Sequence, residues 1–357
     1  MDMKIGIVTV HNSHNCGSYL QAKALCSFVE ALGYDARFVK NKIHPQSSLL
    51  YKSIVAGKYF LKGNRKKATD IFNGSMRFVK ARKSFSYYSS FKDADVCIFG
   101  SDTIWNLNSK HLTKQWEHYF GFNFNGKKIA YAPSVGDAPI ANILNNPMYC
   151  KCINDFDYLS VRDENTYKLV SSVTGKDDSS IKFVVDPTML MQKSFYEQIA
   201  AKCEDENFIL FYYFGVPEKG YMEKIKKYAD DNGKKLICFG NGIKKVDKQV
   251  PFSPLEMMGY YSKADLVITN TFHGNVFSII FNKPFVNIDA GKAKVDDLLA
   301  SFGLSERTVK EHCDFEKIAS KNIDFEVVNN ILDEKRKSSG DYLKNVLKEC
   351  ERQDNNA

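Results

Sequence analysis

The sequence predicts an α/β protein made of two doubly wound halves that face a central cleft, and three observations carry this. Apolar, β-branched runs of four to eight residues alternate with stretches of helical period, the pattern of βα units in a mostly parallel sheet. That pattern restarts near residue 200, and 357 residues are more than one ordinary core needs. The segments directly after the strand candidates are polar, "HNSHNCGS", "GSDTIWN", "APSVGD", "RDEN" and "TNTFHGN", where open α/β sheets hold ligands.

Taken in order, "KIGIVTV" (4–10) reads as a buried strand, followed by a loop and the helix "YLQAKALCSFVEALG". Leu20, Ala24, Phe28 and Leu32, with Leu25 and Val29, line one face of that helix, and Gly33 ends it. Strands follow at 95–100, 128–132, 158–162 and 181–186, then the connector "SFYEQIAAKCEDEN". The second set runs strand 208–215, helix 219–232, strand 235–240, strand 265–270, a helix from about Asn275, and strand 284–288. The expected division is residues 1–200, residues 201–335 and a terminal amphipathic helix at 336–357.

Composition narrows the class. With 44% hydrophobic and 26% charged residues the chain suits a soluble globular protein. Its longest apolar run, "FILFYYFGV", is about half of what a membrane-spanning helix needs, and "MDMKIGIVTV" goes straight into a strand without the look of a signal. Nine cysteines, several inside apolar strands, suggest reduced thiols in a cytoplasmic protein. Cys150 and Cys152 form a C-x-C with no second pair at ligand spacing, so no metal site is expected.

The formal charge of +8 is concentrated. Residues 51–85 hold ten Lys or Arg against one acid, Asp70, with Tyr51, Tyr59, Phe60, Phe72, Phe78 and Phe85 interleaved. This segment reads either as a solvated helical excursion or as a contact for an anionic surface, such as the inner face of the plasma membrane. No nucleic-acid motif accompanies it, and nucleic acid is not expected as a partner.

Four strand ends carry the chemistry. In "NTFHGNVFSIIF" a helix start points free amides and its positive dipole end at His273, where an anion could sit. In "LSVRDENT" Arg162 could grip a carboxylate or phosphate with two parallel bonds, or pair with Asp163 or Glu164. In "FGSDTIWN" Asp102 could deprotonate a hydroxyl or cap a helix, and Trp105 could face a sugar ring or fill the core. In "HNSHNCGSYLQ" His11, His14 and Asn15 are placed in the same cleft, as ligand contacts or as a turn. "VVDPTML" reads as architecture, with Asp186 before a proline turn.

In order, "NCGSYLQAKAL", "DADVCIFGSDTIWN", "KIAYAPSVG", "LSVRDENT", "VVDPTMLM" and "ADLVITNTFHGNVFSIIFNKPF" resemble the polysaccharide pyruvyl transferase family, from residue 4 to about 305. The resemblance implies two Rossmann-like domains in a GT-B-like arrangement. It also implies transfer of pyruvate from phosphoenolpyruvate onto two hydroxyls of one sugar, as a cyclic ketal. The family's histidine falls on His273 and its arginine on Arg162, both associated in relatives with phosphoenolpyruvate. Cys16 and Thr103 depart from the usual aromatic and glutamine, and Lys292 and Lys294 stand where many relatives carry an arginine.

The resulting expectations are specific. His273 is the proton donor and Asp102 the base. Arg162, Thr271, Gly274, Asn275 and Lys294 bind the donor, and His14, Asn15, Ser101 and Trp105 the acceptor, a saccharide that is free or lipid-linked. No cofactor is expected beyond phosphoenolpyruvate as donor substrate. Two rivals stand beside this: a GT-B glycosyltransferase using a nucleotide sugar, and a non-catalytic protein that binds anions.

Overall fold

Strand interiors are apolar on both faces because helices cover both sides of each sheet. The computed structural model describes residues 3–41, 47–218, 220–240, 243–310 and 315–354. Its first sheet has seven strands: β1 (Lys4–Val8), β2 (Asp35–Val39), β3 (Tyr87–Tyr88), β4 (Val96–Phe99), β5 (Lys127–Ala130), β6 (Tyr158–Val161) and β7 (Ile181–Phe183). The second has six: β8 (Phe208–Tyr212), β9 (Lys235–Phe239), β10 (Lys248–Val250), β11 (Leu266–Thr269), β12 (Phe285–Ile288) and β13 (Thr308–Val309).

All neighbours are parallel, in the orders β3-β2-β1-β4-β5-β6-β7 and β10-β9-β8-β11-β12-β13. Each order reverses once, between β1 and β4 (Ile5 opposite Val96) and between β8 and β11 (Thr269 opposite Tyr212). At such reversals the loops diverge and open a crevice beyond the strand ends. The two crevices face one another, and the residues of interest stand there.

The α/β reading holds, and the strand candidates appear within a few residues of their expected ends. The unforeseen strands are β2, β3, β10 and β13. β3 and β13 have two residues each, and β2 carries Asp35 and Arg37, so none shows an apolar run. The basic segment folds as a helical hairpin, α2 (Leu49–Leu61) and α3 (Arg65–Arg82), capped by Ser48 and Asn64. The last helix is longer than the expected 336–357 and runs Phe325–Asp354 over 30 residues. Its first turns have exposed positions that hide the helical period, so the sequence shows only the later face.

One core cluster passes through both halves, joining Ile5, Leu20 and Leu25 to Met257, Val276 and Phe277 and to Leu343 and Leu347 of the last helix. That continuity holds the two crevices in fixed relation, since interiors packed at crystal-like density resist sliding.

Candidate active site

Each polar group at the crevice follows a strand. Asp102 follows β4, Arg162 follows β6, and Asp186 lies shortly past β7 as the cap of the short helix Pro187–Leu190. In the second half His273 follows β11, and Lys294 lies past β12 on the helix Ala293–Ser301.

In the first half, Arg162 and Asp186 form one buried unit. Arg162 Nη1 donates to Asp186 Oδ2 and, at 2.9 Å, to Ser101 Oγ, which itself donates to Asp186 Oδ2 at 3.2 Å. Asp186 Oδ1 accepts from the amide and hydroxyl of Thr188 at 3.0 and 2.6 Å. Burial opposes the Asp186 charge, but Arg162, His273 and the Thr188 bonds outweigh it and hold the carboxyl below the usual carboxylate range. The Arg162 side chain is only 2% exposed, and its Nε has no hydrogen-bond partner among the described residues.

His273 reaches this unit from the other half. Its Nε2 stands 3.8 Å from Asp186 Oδ2 and makes no hydrogen bond, and the side chain is 12% exposed. The ring lies on the first turn of the helix α1 (Cys16–Ala31), where a Cβ added at Gly17 would fall 2.2 Å from His273 Nδ1. Residue 17 must lack a side chain for the ring to be there. Burial lowers the His273 pKa, Asp186 and Asp102 pull the other way, and the balance stays below the ordinary value. Arg162 also stacks over the Phe272 ring at 4.7 Å, a second contact across the halves.

Asp102 is half-buried at a left-handed φ of 65°; Oδ2 accepts from Ser18 Oγ at 2.5 Å and Oδ1 from the Thr103 amide at 2.8 Å. Gly100 before it has φ 126°, and a Cβ there would fall 2.1 Å from the Tyr131 carbonyl oxygen. Desolvation and then Arg162 lower the Lys294 pKa, while Asp102 and Asp137 raise it. Asp102, Arg162, Asp186, His273 and Lys294 thus form one electrostatically coupled group across the cleft.

Several expected contacts are elsewhere. The second-half helix starts at Phe272, not near Asn275, with Thr271 as cap: Thr271 Oγ1 accepts from the Gly274 amide at 2.9 Å. Asn275 is buried and donates to Thr271 O and Asn287 Oδ1. Thr271, Gly274 and Asn275 therefore build the helix start and spend these groups internally, leaving the amides of Phe272 and His273 unbonded among the described residues. Threonine before Phe-His-Gly was the missed cap signal.

Trp105 is fully buried, stacked on Phe120 at 5.7 Å, with Nε1 donating to Tyr119 O; it fills the core and cannot face a sugar. Ser101 is buried and serves Arg162 and Asp186. Asn15 caps α1, its Oδ1 accepting from the amides of Gly17 and Ser18. His11 is core, packed on Phe38 and pushed down to about 4 by burial. His14 is half-buried and stacked on Phe78 at 4.9 Å, with Nε2 buried and unbonded among the described residues. The sequence reading missed the roles of Asp186, Ser18 and Gly17. For Asp186 the available signal was a carboxylate at a strand's carboxyl end, which the following proline disguised as a plain turn.

A cavity of about 720 Å³ opens behind this group, bounded by Arg162, Asp186, Phe272, Leu298, Phe302 and Ile331. His273, Asp102 and Lys294 do not line it.

Two parallel doubly wound sheets with their reversal points face to face define a GT-B-type architecture. Solved structures agree in fold. A Listeria monocytogenes protein assigned as a UDP-N-acetylglucosamine 2-epimerase matches at TM-score 0.51 and 11% identity, over 93% of this chain and 95% of that one. The UDP-GlcNAc 2-epimerase of Methanocaldococcus jannaschii matches at 0.50 and 12%, over 98% and 99%. Among curated proteins none matches the chain. Residues 15–291 match the model of the family described as polysaccharide pyruvyl transferase, well over half of the sequence. The chain belongs to that family of transferases.

Proposed function

We propose that this protein moves the pyruvyl group of phosphoenolpyruvate onto two hydroxyls of one sugar, in a bacterial surface polysaccharide or its precursor, and closes a cyclic ketal. The observation that supports this best is the contact of Arg162 and His273, from opposite halves, with the same Asp186 carboxylate. A donor with both a carboxylate and a phosphate suits a site where Arg162, Lys294 and a helix amino end converge.

In this reading His273 Nε2 delivers a proton to the methylene carbon, leaving an oxocarbenium-like centre at the phosphate-bearing carbon. A sugar hydroxyl attacks that centre as Asp102 takes its proton. The C–O bond to phosphate breaks, the second hydroxyl closes the ring, and its proton leaves with the phosphate. Of the two hydroxyl protons, one balances the proton gained by carbon and the other is carried by inorganic phosphate. Burial holds the His273 pKa below the ordinary value, and a bound dianion raises it toward the acid form. Proton transfer of this kind contributes about 10²–10⁴ in rate. His14 stands on the acceptor side, and peripheral association with an anionic surface and a lipid-linked acceptor belong to the same proposal.

The test is phosphate release from phosphoenolpyruvate in the presence of candidate saccharides. His273→Ala and Arg162→Ala should each remove most of it without unfolding the protein, and near wild-type turnover in either rejects that role. A melting-temperature panel separates the donors, because only the true donor stabilises the fold by mass action. Stabilisation by nucleotide sugars instead would favour a glycosyltransferase.

A further inference from the structure

The exposed apolar surface of this chain is unevenly placed. Of fifteen large apolar side chains exposed among the described residues, eight lie on the α2–α3 hairpin: Leu49, Leu50, Tyr51, Ile54, Phe60, Leu61, Phe72 and Met76. On α2, Leu50, Ile54 and Leu61 are 74, 51 and 87% exposed. At 3.6 residues per turn they fall within about 40° of one another, so they form one stripe. Ala56, on the opposite side, is the buried residue of this helix. An amphipathic helix of a globular protein turns its apolar stripe inward, and this one turns it outward.

Around the stripe the charge has one sign. Ten of eleven formal charges in residues 51–85 are positive. Arg77 is ion-paired with Glu256 and Arg82 donates to Asn12 O, while Lys58, Lys62, Arg65, Lys66 and Lys67 are exposed along α2 and at the hairpin tip. Phe60 and Leu61 project at that tip, among these cations. A second copy on this face would set a like-charged hairpin against another, so self-association is disfavoured. An anionic lipid surface satisfies both features: apolar side chains enter the headgroup boundary while lysine stems extend to the phosphates.

We propose that the α2–α3 hairpin docks this protein on anionic phospholipid bilayers, with Leu50, Ile54 and Leu61 inserted and the tip cations on the headgroups. The hairpin is fixed to the mouth of the cleft: Phe78 of α3 stacks on His14, Tyr19 donates to Ala81 O, and Arg77 reaches the second half at Glu256. Docking therefore brings the acceptor side of the crevice to the membrane. The docking itself does not depend on which donor the site uses.

The experiment is flotation with phosphatidylcholine vesicles, with and without one part in three phosphatidylglycerol. The wild-type chain should float with the anionic vesicles only. Leu50→Ser/Ile54→Ser/Leu61→Ser and Lys62→Glu/Lys66→Glu/Lys67→Glu should each reduce the bound fraction by about tenfold or more. Some wild-type binding should persist at about 0.5 M salt, where the Debye length is roughly 4 Å and charge alone would no longer hold it. Both variants should melt as the wild type does and keep its turnover on a soluble acceptor, which separates this proposal from the donor assignment. Equal wild-type flotation with both vesicles, or serine-variant flotation like that of the wild type, overturns the proposal. So does a wild-type dimer that the serine variant dissociates, since the face would then be covered by a second copy.

Discussion

The Asp186 carboxylate belongs to the first sheet and the His273 imidazole to the second, yet Oδ2 of one lies 3.8 Å from Nε2 of the other. The same oxygen accepts from Arg162. One buried carboxylate therefore bonds the guanidinium of one half and stands beside the imidazole of the other. If the proposed donor binds here, it shares Arg162 with Asp186, whose carboxylate already neutralises the guanidinium in part.

Asp186→Asn tests this directly. The amide keeps the shape but leaves Arg162 without its counter-charge in a site that excludes water. Removing one partner of a buried ion pair costs about 3–5 kcal/mol, so the melting temperature should fall. Phosphate release should fall by about a hundredfold, as expected when a reacting group shifts by an ångström. Wild-type turnover in a folded variant would show that Asp186 orients nothing the reaction needs.

Gly17→Ala probes the same ring from its other side. The new methyl would overlap His273 Nδ1 at 2.2 Å, and the imidazole is the group free to move. Secondary structure should be retained while turnover drops by about a hundredfold. A crystal structure of the variant with the ring unmoved would refute the contact.

Trp105 separates core from cleft. Trp105→Ala should cost about 3–5 kcal/mol in denaturant unfolding. Trp105→Phe should keep the acceptor KM, because the ring packs on Phe120 and Phe156 and touches no open surface. A raised acceptor KM in the phenylalanine variant would return Trp105 to the acceptor site.

Stability should fall with acidity through the histidines. Burial pushes His11 down to about 4 and His118 to about 3, whereas the ordinary value is 6.5. The unfolded chain then binds more protons than the folded one below about pH 6.5, so unfolding free energy decreases as pH falls from there through 4. For His11 the full effect is about 3 kcal/mol. His11→Phe should flatten this slope in melts taken at successive pH values, and an unchanged slope would show that the ring titrates normally.

The fold was legible where burial dictates pattern. β1, β4, β8 and β11 are buried on both faces and appear in the sequence as uninterrupted apolar runs. β3 and β13 are two-residue edges whose existence depends on a neighbour, and a local pattern cannot show that. In the site, His273, Arg162 and Asp102 could be found because each ends such a strand. Asp186 could not be ranked, since its importance comes from Arg162 and His273 reaching it through space. Trp105 and Ser101 misled for the complementary reason: a strand end can turn a side chain into the core as readily as into the cleft.

The final helix also bears on motion. Lys335 lies over Phe302 of the second half at 5.9 Å, while Arg336 donates to Met189 O and Ser339 accepts from the Val185 amide of the first. At 1.5 Å per residue this rod is about 45 Å long, and it passes from one half to the other within a single turn. Any breathing of the cleft would strain this clasp along with the core that both halves share. A chain cut before Arg336 would lose this clasp together with the core contacts of Leu343 and Leu347, leaving the rest of the shared core to hold the halves together.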